Sequence, residues 1–328
     1  TLDFLVVEEA TLSGWVYPYG TIAVHTGLLA RMDNEAQLVA ILAHETAHFL
    51  QRHSYKELIK EGRSKAVGKG LGFLAALAVA SKTGTLDTGI MDKTGGIWSN
   101  LVTSGYSQGN EYDADEEGLR LMARAGLSRD EAVPAFAALA ENEVYGAGDP
   151  RKLWSSHPKL ENRLKNLDKE IKKEKKDAER AAKRKKKKKD DVPYDPGVVP
   201  EANQYYDAIA PALIANARLD IRERQFGRAR EALDKYLLVR PDDPEAYFLV
   251  GETYRRASPR GPDYTQRIAA YEQALVQDSG YAPAHKELGM AYRVQGQNVE
   301  AKQAFEQFLK RAEESAEAGI IRGYLESL

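Results

Sequence analysis

The last third of the chain repeats itself, and this repeat limits the fold of that region more than any other feature. Gly251 recurs 38 residues later as Gly289. Other pairs lie 72 residues apart, which is 38 plus 34, so the period is 34 residues with one insertion of four: Ala229 and Ala301, Leu233 and Phe305, Tyr236 and Phe308. The insertion fits best at 258–261, "SPRG". A period of this length is typical of helix pairs that stack on one another around a continuous core.

Small and aromatic residues at these offsets resemble the tetratricopeptide (TPR) repeat. Tyr271 and Ala274 mark the middle copy, and Pro241 closes the first copy where such repeats often carry proline. The resemblance implies about three repeats over 201–328, with a concave face that suits holding a client or docking a partner. A generic helical bundle is the alternative, and it is less favoured because several offsets agree at once.

The composition allows a soluble globular protein with two or three domains. Of the 328 residues, 43% are hydrophobic and 29% are charged, which is ordinary for this class. The absence of cysteine excludes disulfide frameworks, thiolate metal sites and cysteine nucleophiles. The longest clean apolar run, 71–80, has ten residues and is too short to span a membrane.

The charge is distributed unevenly. Residues 165–189 carry 14 Lys and Arg against 5 Asp and Glu, so this stretch is +9, and the remainder is −11 for a net charge of −2. The lysine run could contact nucleic acid or an anionic membrane. Because it lacks interleaved aromatic residues and lies between domains, a solvated helical tether is favoured and nucleic acid is not expected as a partner.

Ahead of the repeats, the patterns predict a small sheet followed by helices. Residues 4–29 are rich in Val, Ile, Tyr and Trp and are broken by turn residues, so they are predicted to form strands. The Gly-rich region 62–110 gives no clear order, and 64–81 could be a buried helix, a lid or a membrane-touching loop. Three helices are predicted by their start and stop signals: 35–53 capped by Asn34, 110–124, and one beginning at a capping box of Ser128 and Glu131.

The helix 35–53 contains the motif H-E-x-x-H, formed by His44, Glu45 and His48. Histidines four residues apart project from one helix face, at the spacing that lets two imidazoles reach one tetrahedral zinc ion. The adjacent glutamate can then act as a general base. Two histidines with no special role on a helix are the alternative, and a third ligand is needed to decide.

A glutamate on a separate helix is the best candidate for that ligand. A metzincin arrangement fails, because it needs glycine at 51 and histidine at 54, where this chain has Gln51 and Ser54. "NEYDAD" instead supplies Glu111 to complete a His₂Glu site and, four residues on, Asp115 to hold a ligating imidazole. The alternative is a solvated acidic face. The functional interpretation is favoured because motif and partner occur together.

Four segments together resemble the zinc metallopeptidase family that includes the CaaX prenyl protease and HtpX-like enzymes. The resemblance covers about residues 1–170 and rests on "HTGLL", "LVAILAHETAHFLQRH", "NEYDAD" and "SHPKLENR". It implies one Zn²⁺ held by His44, His48 and Glu111, with Glu45 as base and Asp115 behind the ligands. Family members often carry Asn-Ala in the strand before the proline, and the corresponding residues here are Ser13-Gly14.

The resemblance also draws attention to His157 and Arg163 in "HPKLENR". Three roles stay open for His157: a hydrogen bond to the oxyanion of the intermediate, a fourth zinc ligand that keeps the enzyme latent, or a structural helix cap. His53 and His25 are expected to be structural or surface residues. The strand at 20–25 could pair with an extended substrate by β-augmentation.

The expected architecture is an α+β protein, mostly α: a gluzincin domain at 1–170, a charged helical linker at 171–200 and a TPR solenoid at 201–328. A TPR tail without membrane spans resembles the soluble, periplasmic BepA-type branch, associated with outer-membrane protein assembly and quality control. The expected function is a zinc endopeptidase of unfolded or misassembled proteins, periplasmic after removal of a signal peptide, with protein partners on the TPR face. A TPR adaptor or chaperone with a latent zinc site is the alternative, and peripheral membrane contact stays open.

Overall fold

The structure is a computed structural model that describes residues 2–17, 20–53, 56, 106–145, 160–184, 197–258 and 264–328. The chain divides into two compact units, Thr1–Tyr205 and Tyr206–Leu328. The described residues are mostly helical with one small sheet, which is compatible with the expected α+β class. None of the described helices combines the length and apolar character that crossing a membrane requires. The division at residues 170 and 200 stays a prediction.

Three strands form the sheet of the first unit, in the order β1-β3-β2. Their bounds are β1 Asp3–Val7, β2 Gly14–Val16 and β3 Thr21–His25. Strand β3 pairs in parallel with β1 and antiparallel with β2. Because both edges of β3 are occupied, the expected pairing of a substrate with 20–25 is wrong.

The strand prediction for 4–29 is wrong at its end, where Thr26–Arg31 forms the short helix α1. Five of its six residues are buried, and a short buried apolar run reads equally well as strand or helix. A Cβ on Gly27 would lie 2.2 Å from the carbonyl oxygen of Ala10, so only glycine allows the helix to lie this close to the preceding loop.

Helix α2 spans Glu35–Leu50 and begins, as predicted, at Asn34. The side-chain oxygen of Asn34 accepts a hydrogen bond of 3.0 Å from the backbone N–H of Gln37. The helix ends three residues before its predicted end at 53. The reason is Arg52, whose φ of 56° lies in the left-handed region and breaks the helical path.

Helix α3 spans Gln108–Arg124, and Ser107 caps its start by accepting a bond from the backbone of Asn110. It then turns at Gly126, which has a φ of 73°. Both the helix and its terminal glycine were predicted.

The capping box predicted at Ser128 is wrong. The Ser128 side chain makes no capping bond, and Arg129–Glu131 forms a 3₁₀ turn before helix α4, Ala132–Tyr145. The Glu131 carboxylate instead accepts 2.9 Å bonds from the side-chain amides of Asn34 and Gln37. A tertiary contact to the start of α2 has replaced the local cap.

Helix α5, Leu160–Arg184, packs an apolar stripe against α3 and α4, and most of its described charged residues after Ile171 are exposed. Leu160, Leu167 and Ile171 are buried. Residues at and after the end of the predicted linker contact the rest of the first unit: Leu127 pairs with Val198, and the Tyr205 hydroxyl donates a 2.8 Å bond to the carbonyl of Leu29. His157, 64–81 and 185–189 lie outside the described residues.

The last part of the chain is a succession of helices, and from Ala210–Arg222 onward each packs on the next. Their bounds are α6 Ala202–Ala208, α7 Ala210–Arg222, α8 Phe226–Val239, α9 Pro244–Ala257, α10 Thr265–Gln277, α11 Ala282–Val294, α12 Asn298–Arg311 and α13 Ala318–Glu326.

The repeat seen in the sequence is also a repeat of contacts. A Cβ on Gly251 would lie 2.3 Å from the Tyr271 ring, and one on Gly289 would lie 2.4 Å from the Phe305 ring. Each glycine lets an aromatic ring of the following helix lie against the backbone. Equivalent positions therefore make equivalent contacts in two successive helix pairs.

Gly289→Ala should destabilise the second unit by about 1–3 kcal/mol, because the added methyl group cannot fit beside the Phe305 ring. Gly323→Ala is the matched control: it is also a helical glycine, but nothing lies within 4 Å of its added Cβ. The control should be neutral or stabilising by about 0.4–1 kcal/mol. Urea unfolding followed by circular dichroism at 222 nm measures both, and equal midpoints for the two variants would contradict the packing argument.

Candidate metal centre

Helices α2 and α3 lie close enough for their side chains to meet because α3 presents small residues at the contact. Ala114 is buried there, and a Cβ on Gly118 would lie 3.3 Å from the backbone nitrogen of His44. The contact brings the H-E-x-x-H face of α2 against the acidic face of α3.

His44, His48 and Glu111 converge at this contact. The Nε2 atoms of the two histidines are 3.0 Å apart. The Glu111 carboxylate lies 3.4 Å from Nε2 of His48 and 3.7 Å from Nε2 of His44. All three side chains are at most 1% exposed, and their ligand atoms lie within 4.8 Å of one another. Two imidazole nitrogens and one carboxylate oxygen form a donor set that fits zinc.

Asp115 lies directly behind this group, one turn after Glu111 on α3. Its Oδ1 is 3.0 Å from Nδ1 of His44. A ligating histidine commonly donates its second ring N–H to a carboxylate, which fixes the tautomer and the ring orientation. The solvated acidic face considered as the alternative is wrong for Glu111 and Asp115, which are 0% and 6% exposed.

Arg163 on α5 joins both carboxylates. Its guanidinium donates to both oxygens of Asp115, at 2.6 and 2.9 Å, and its NH1 lies 2.6 Å from Oε2 of Glu111. The side chain is 1% exposed, and its charged end lies 5.0 Å from the centre of the Phe136 ring. Two buried negative charges thus face one buried positive charge with bidentate geometry.

These charges set the protonation of the centre. Burial, and next the positive charge of Arg163, lower the pKa of His44 to about 4, although Asp115 and Glu111 oppose the shift. For Asp115, burial would raise the pKa, but Arg163 and His44 outweigh it and the pKa is lowered. Near neutral pH, His44 is therefore neutral and Asp115 is ionised. A proton on Nδ1, toward Asp115, would leave Nε2 of His44 as the nitrogen that faces His48 and Glu111.

Glu45 is 1% exposed and lies beside His44 on α2. Although burial alone would lower the pKa of Arg163, the charges of Asp115, Glu111 and Glu45 raise it. The Glu45 carboxylate therefore lies close enough to Arg163 to interact with its charge. Its role as a general base stays a prediction.

Three other histidines were considered from the sequence. His53 is fully buried, so the surface alternative is wrong for it, and its Nδ1 is 3.0 Å from Nδ1 of His48. His25 is also buried, bonded to the Thr11 hydroxyl and edge-on to Trp15. The fourth-ligand and oxyanion roles of His157 stay predictions, because that residue is outside the described part of the chain.

The sequence did not identify Tyr106 or the position of His53. The Tyr106 ring is stacked on His48, with centroids 4.0 Å apart and planes at 20°. Three histidines within ten positions were the available signal for His53. The turn at Arg52 that directs its side chain could not be read from residue types.

Arg163→Met should destabilise the first unit by about 3–5 kcal/mol, because it leaves buried carboxylates without their cation. The matched control is Arg120→Met, which removes an exposed pair with Glu116 and Glu117 and should cost at most about 1 kcal/mol. All three tryptophans are in the first unit, so urea unfolding of metal-free protein followed by tryptophan fluorescence reports on it. Equal losses in the two variants would contradict the role given to Arg163.

Comparison with known proteins places this geometry in context. The chain is 27% identical to the beta-barrel assembly-enhancing protease of Escherichia coli (strain K12) over 169 residues, which cover 49% of this chain and 32% of that protein. It is 28% identical to the metalloprotease LoiP of the same organism over 167 residues, covering 51% of this chain and 61% of that one. The chain thus spans about a third of the length of the beta-barrel assembly-enhancing proteases it matches.

A crystal structure of MamA matches at 20% identity with a TM-score of 0.32, covering 38% of this chain and 75% of that one. The model of the family "Peptidase family M48" matches residues 6–171 of this chain. These are 166 of the 328 residues, and they include the centre described above. The chain belongs to peptidase family M48.

Proposed function

We propose that this chain is a zinc-dependent endopeptidase that cleaves unfolded or misassembled protein segments. The single observation that carries the proposal is the buried convergence of His44, His48 and Glu111 from two helices, with Glu45 in the same turn as His44. Membership of a peptidase family supports it. A structural zinc site is normally closed by four protein ligands, whereas three converge among the described residues.

His44, His48 and Glu111 would hold the metal, and Asp115 would keep His44 in the ligating tautomer. A zinc ion bound there supplies a Lewis acid that activates water and polarises a peptide carbonyl. Glu45 accepts the proton of the attacking water and returns it to the leaving amine. Arg163 keeps Asp115 ionised, so that this carboxylate does not take that proton.

Substrates must present an extended backbone to this centre. Since β3 is paired on both sides, the unpaired sheet edges among the described residues belong to β1 and β2. Strand β2, Gly14–Val16, packs against α2, which carries the H-E-x-x-H motif. A segment that pairs with β2 would be selected for its exposed backbone more than for its side chains, as unfolded chains are. Ser13 and Gly14, which stand where related proteins often carry Asn-Ala, lie at the start of this strand.

The second unit would be a TPR solenoid that holds clients or docks a partner. The 34-residue period and the paired glycine–aromatic contacts support this assignment. The name of the E. coli relative, a beta-barrel assembly-enhancing protease, supports a role in the assembly of β-barrel proteins. A role in outer-membrane protein quality control and a periplasmic location are part of the same proposal.

Degradation of casein by the zinc-loaded chain tests the proposal. Glu45→Gln should lower the rate by about 10²–10⁴-fold while zinc content is unchanged, because only the proton acceptor is lost. Glu116→Gln is the matched control, since Glu116 is exposed on the neighbouring helix, and it should cut at the wild-type rate.

His157→Ala separates the active from the latent form. Cleavage only in this variant would favour a latched enzyme, the basis of the alternative adaptor or chaperone function. The proposal would be overturned if neither the wild type nor His157→Ala degraded casein, or if Glu45→Gln degraded it at the wild-type rate.

A further inference from the structure

We propose that His53 is a positioning residue for His48: it accepts the Nδ1–H bond of His48 and so fixes the tautomer that presents Nε2 to a metal. The inference rests on the proposed function, because it assigns a task at the same centre. It concerns a residue that the H-E-x-x-H motif does not include.

The geometry of His48 assigns one task to each of its ring nitrogens. Its Nε2 is 3.0 Å from Nε2 of His44 and 3.4 Å from Glu111, so this nitrogen faces the other ligands. Its Nδ1 is 3.0 Å from Nδ1 of His53, and both rings are completely buried. The contact between His48 and His53 is therefore shielded from competing water.

A neutral imidazole carries one proton, and its position decides which nitrogen can bind a metal. For Nε2 of His48 to offer its electron pair, the proton must lie on Nδ1. That N–H points at Nδ1 of His53, which must then accept and carry its own proton on Nε2. The opposite tautomer of His48 would direct a proton toward His44, where a ligand pair is required.

The two ligating histidines are thus held by different acceptors. His44 donates through Nδ1 to the Asp115 carboxylate, at 3.0 Å. His48 occupies the equivalent position one turn later but has an imidazole as its acceptor. Tyr106 helps to fix the orientation of the His48 ring, because its own ring lies 4.0 Å from that of His48 and nearly parallel to it.

The backbone takes an uncommon conformation to place His53 there. On a continuous helix, a residue five positions after His48 would point about 140° away from it around the helix axis. Arg52 instead has a φ of 56°, which ends the helix and turns the chain back. Such a conformation costs a non-glycine residue roughly 1–2 kcal/mol. Strain of this kind persists where surrounding contacts determine it, and it clusters at functional sites.

Cobalt titration of the metal-free full chain, followed by the visible absorption of bound Co²⁺, tests the inference without measuring proteolysis. His53→Phe keeps a ring of similar size but removes the acceptor, and it should weaken Co²⁺ binding about 10–100-fold and change the spectrum. His53→Gln restores an acceptor through its amide oxygen and should recover most of the affinity. His285→Ala, which removes a histidine in the second unit, is the control and should match the wild type.

Equal loss in His53→Gln and His53→Phe would mean that the ring only packs, and wild-type binding by His53→Phe would mean that it does nothing for His48. Either result overturns the inference and leaves the proposed function standing. A wild-type chain that binds no Co²⁺ would overturn both.

If His53→Phe fails to fold, substitutions at Arg52 test the placement of His53 instead. Arg52→Gly adopts the left-handed turn without strain and should keep wild-type affinity. Arg52→Val disfavours that turn and should weaken Co²⁺ binding although it touches no ligand. Equal affinities in the two variants would contradict the placement of His53 by this turn.

Discussion

The buried guanidinium of Arg163 is the interaction on which the rest of the first unit depends. It pairs with both Glu111 and Asp115, and so allows two carboxylates and two imidazoles to lie together away from water. A buried charge without a partner is costly, so the acidic face of α3 could not be held against α2 unless a cation were brought to it. Helix α5 brings that cation, and its apolar stripe fixes where the helix lies. Burial, together with this charge, lowers the pKa of His44 and keeps the imidazole neutral, as its proposed role as a metal ligand requires.

A second feature recurs in both units: glycine occurs where a neighbouring helix or an aromatic ring lies directly against a helix backbone. Gly118 permits the contact of α3 with α2 at the level of His44. Gly251 and Gly289 permit aromatic rings to lie against successive helices of the repeat. In each case the missing side chain positions a neighbour, whether that neighbour carries a proposed metal ligand or completes a core.

The features that the sequence predicted correctly are those encoded by spacing along one helix. His44 with His48, and Glu111 with Asp115, are each four residues apart, so their shared faces follow from helix geometry alone. The cap at Asn34 is equally local. Two of the predictions that failed depended on contacts between distant segments. Glu131 bonds to Asn34 and Gln37 instead of capping its own helix, and β3 lies in the centre of the sheet, which no local pattern indicates. The left-handed turn at Arg52 also has no signature in residue type, which is why His53 could not be placed.

Zinc K-edge X-ray absorption of the purified, zinc-loaded chain tests the central claim most directly. The account predicts one zinc per chain with imidazole scattering from two histidines and ligand distances of about 2.0–2.2 Å, and loss of that imidazole signal in a variant lacking His44 and His48. A shell of oxygen atoms alone, or an unchanged spectrum in that variant, would contradict it.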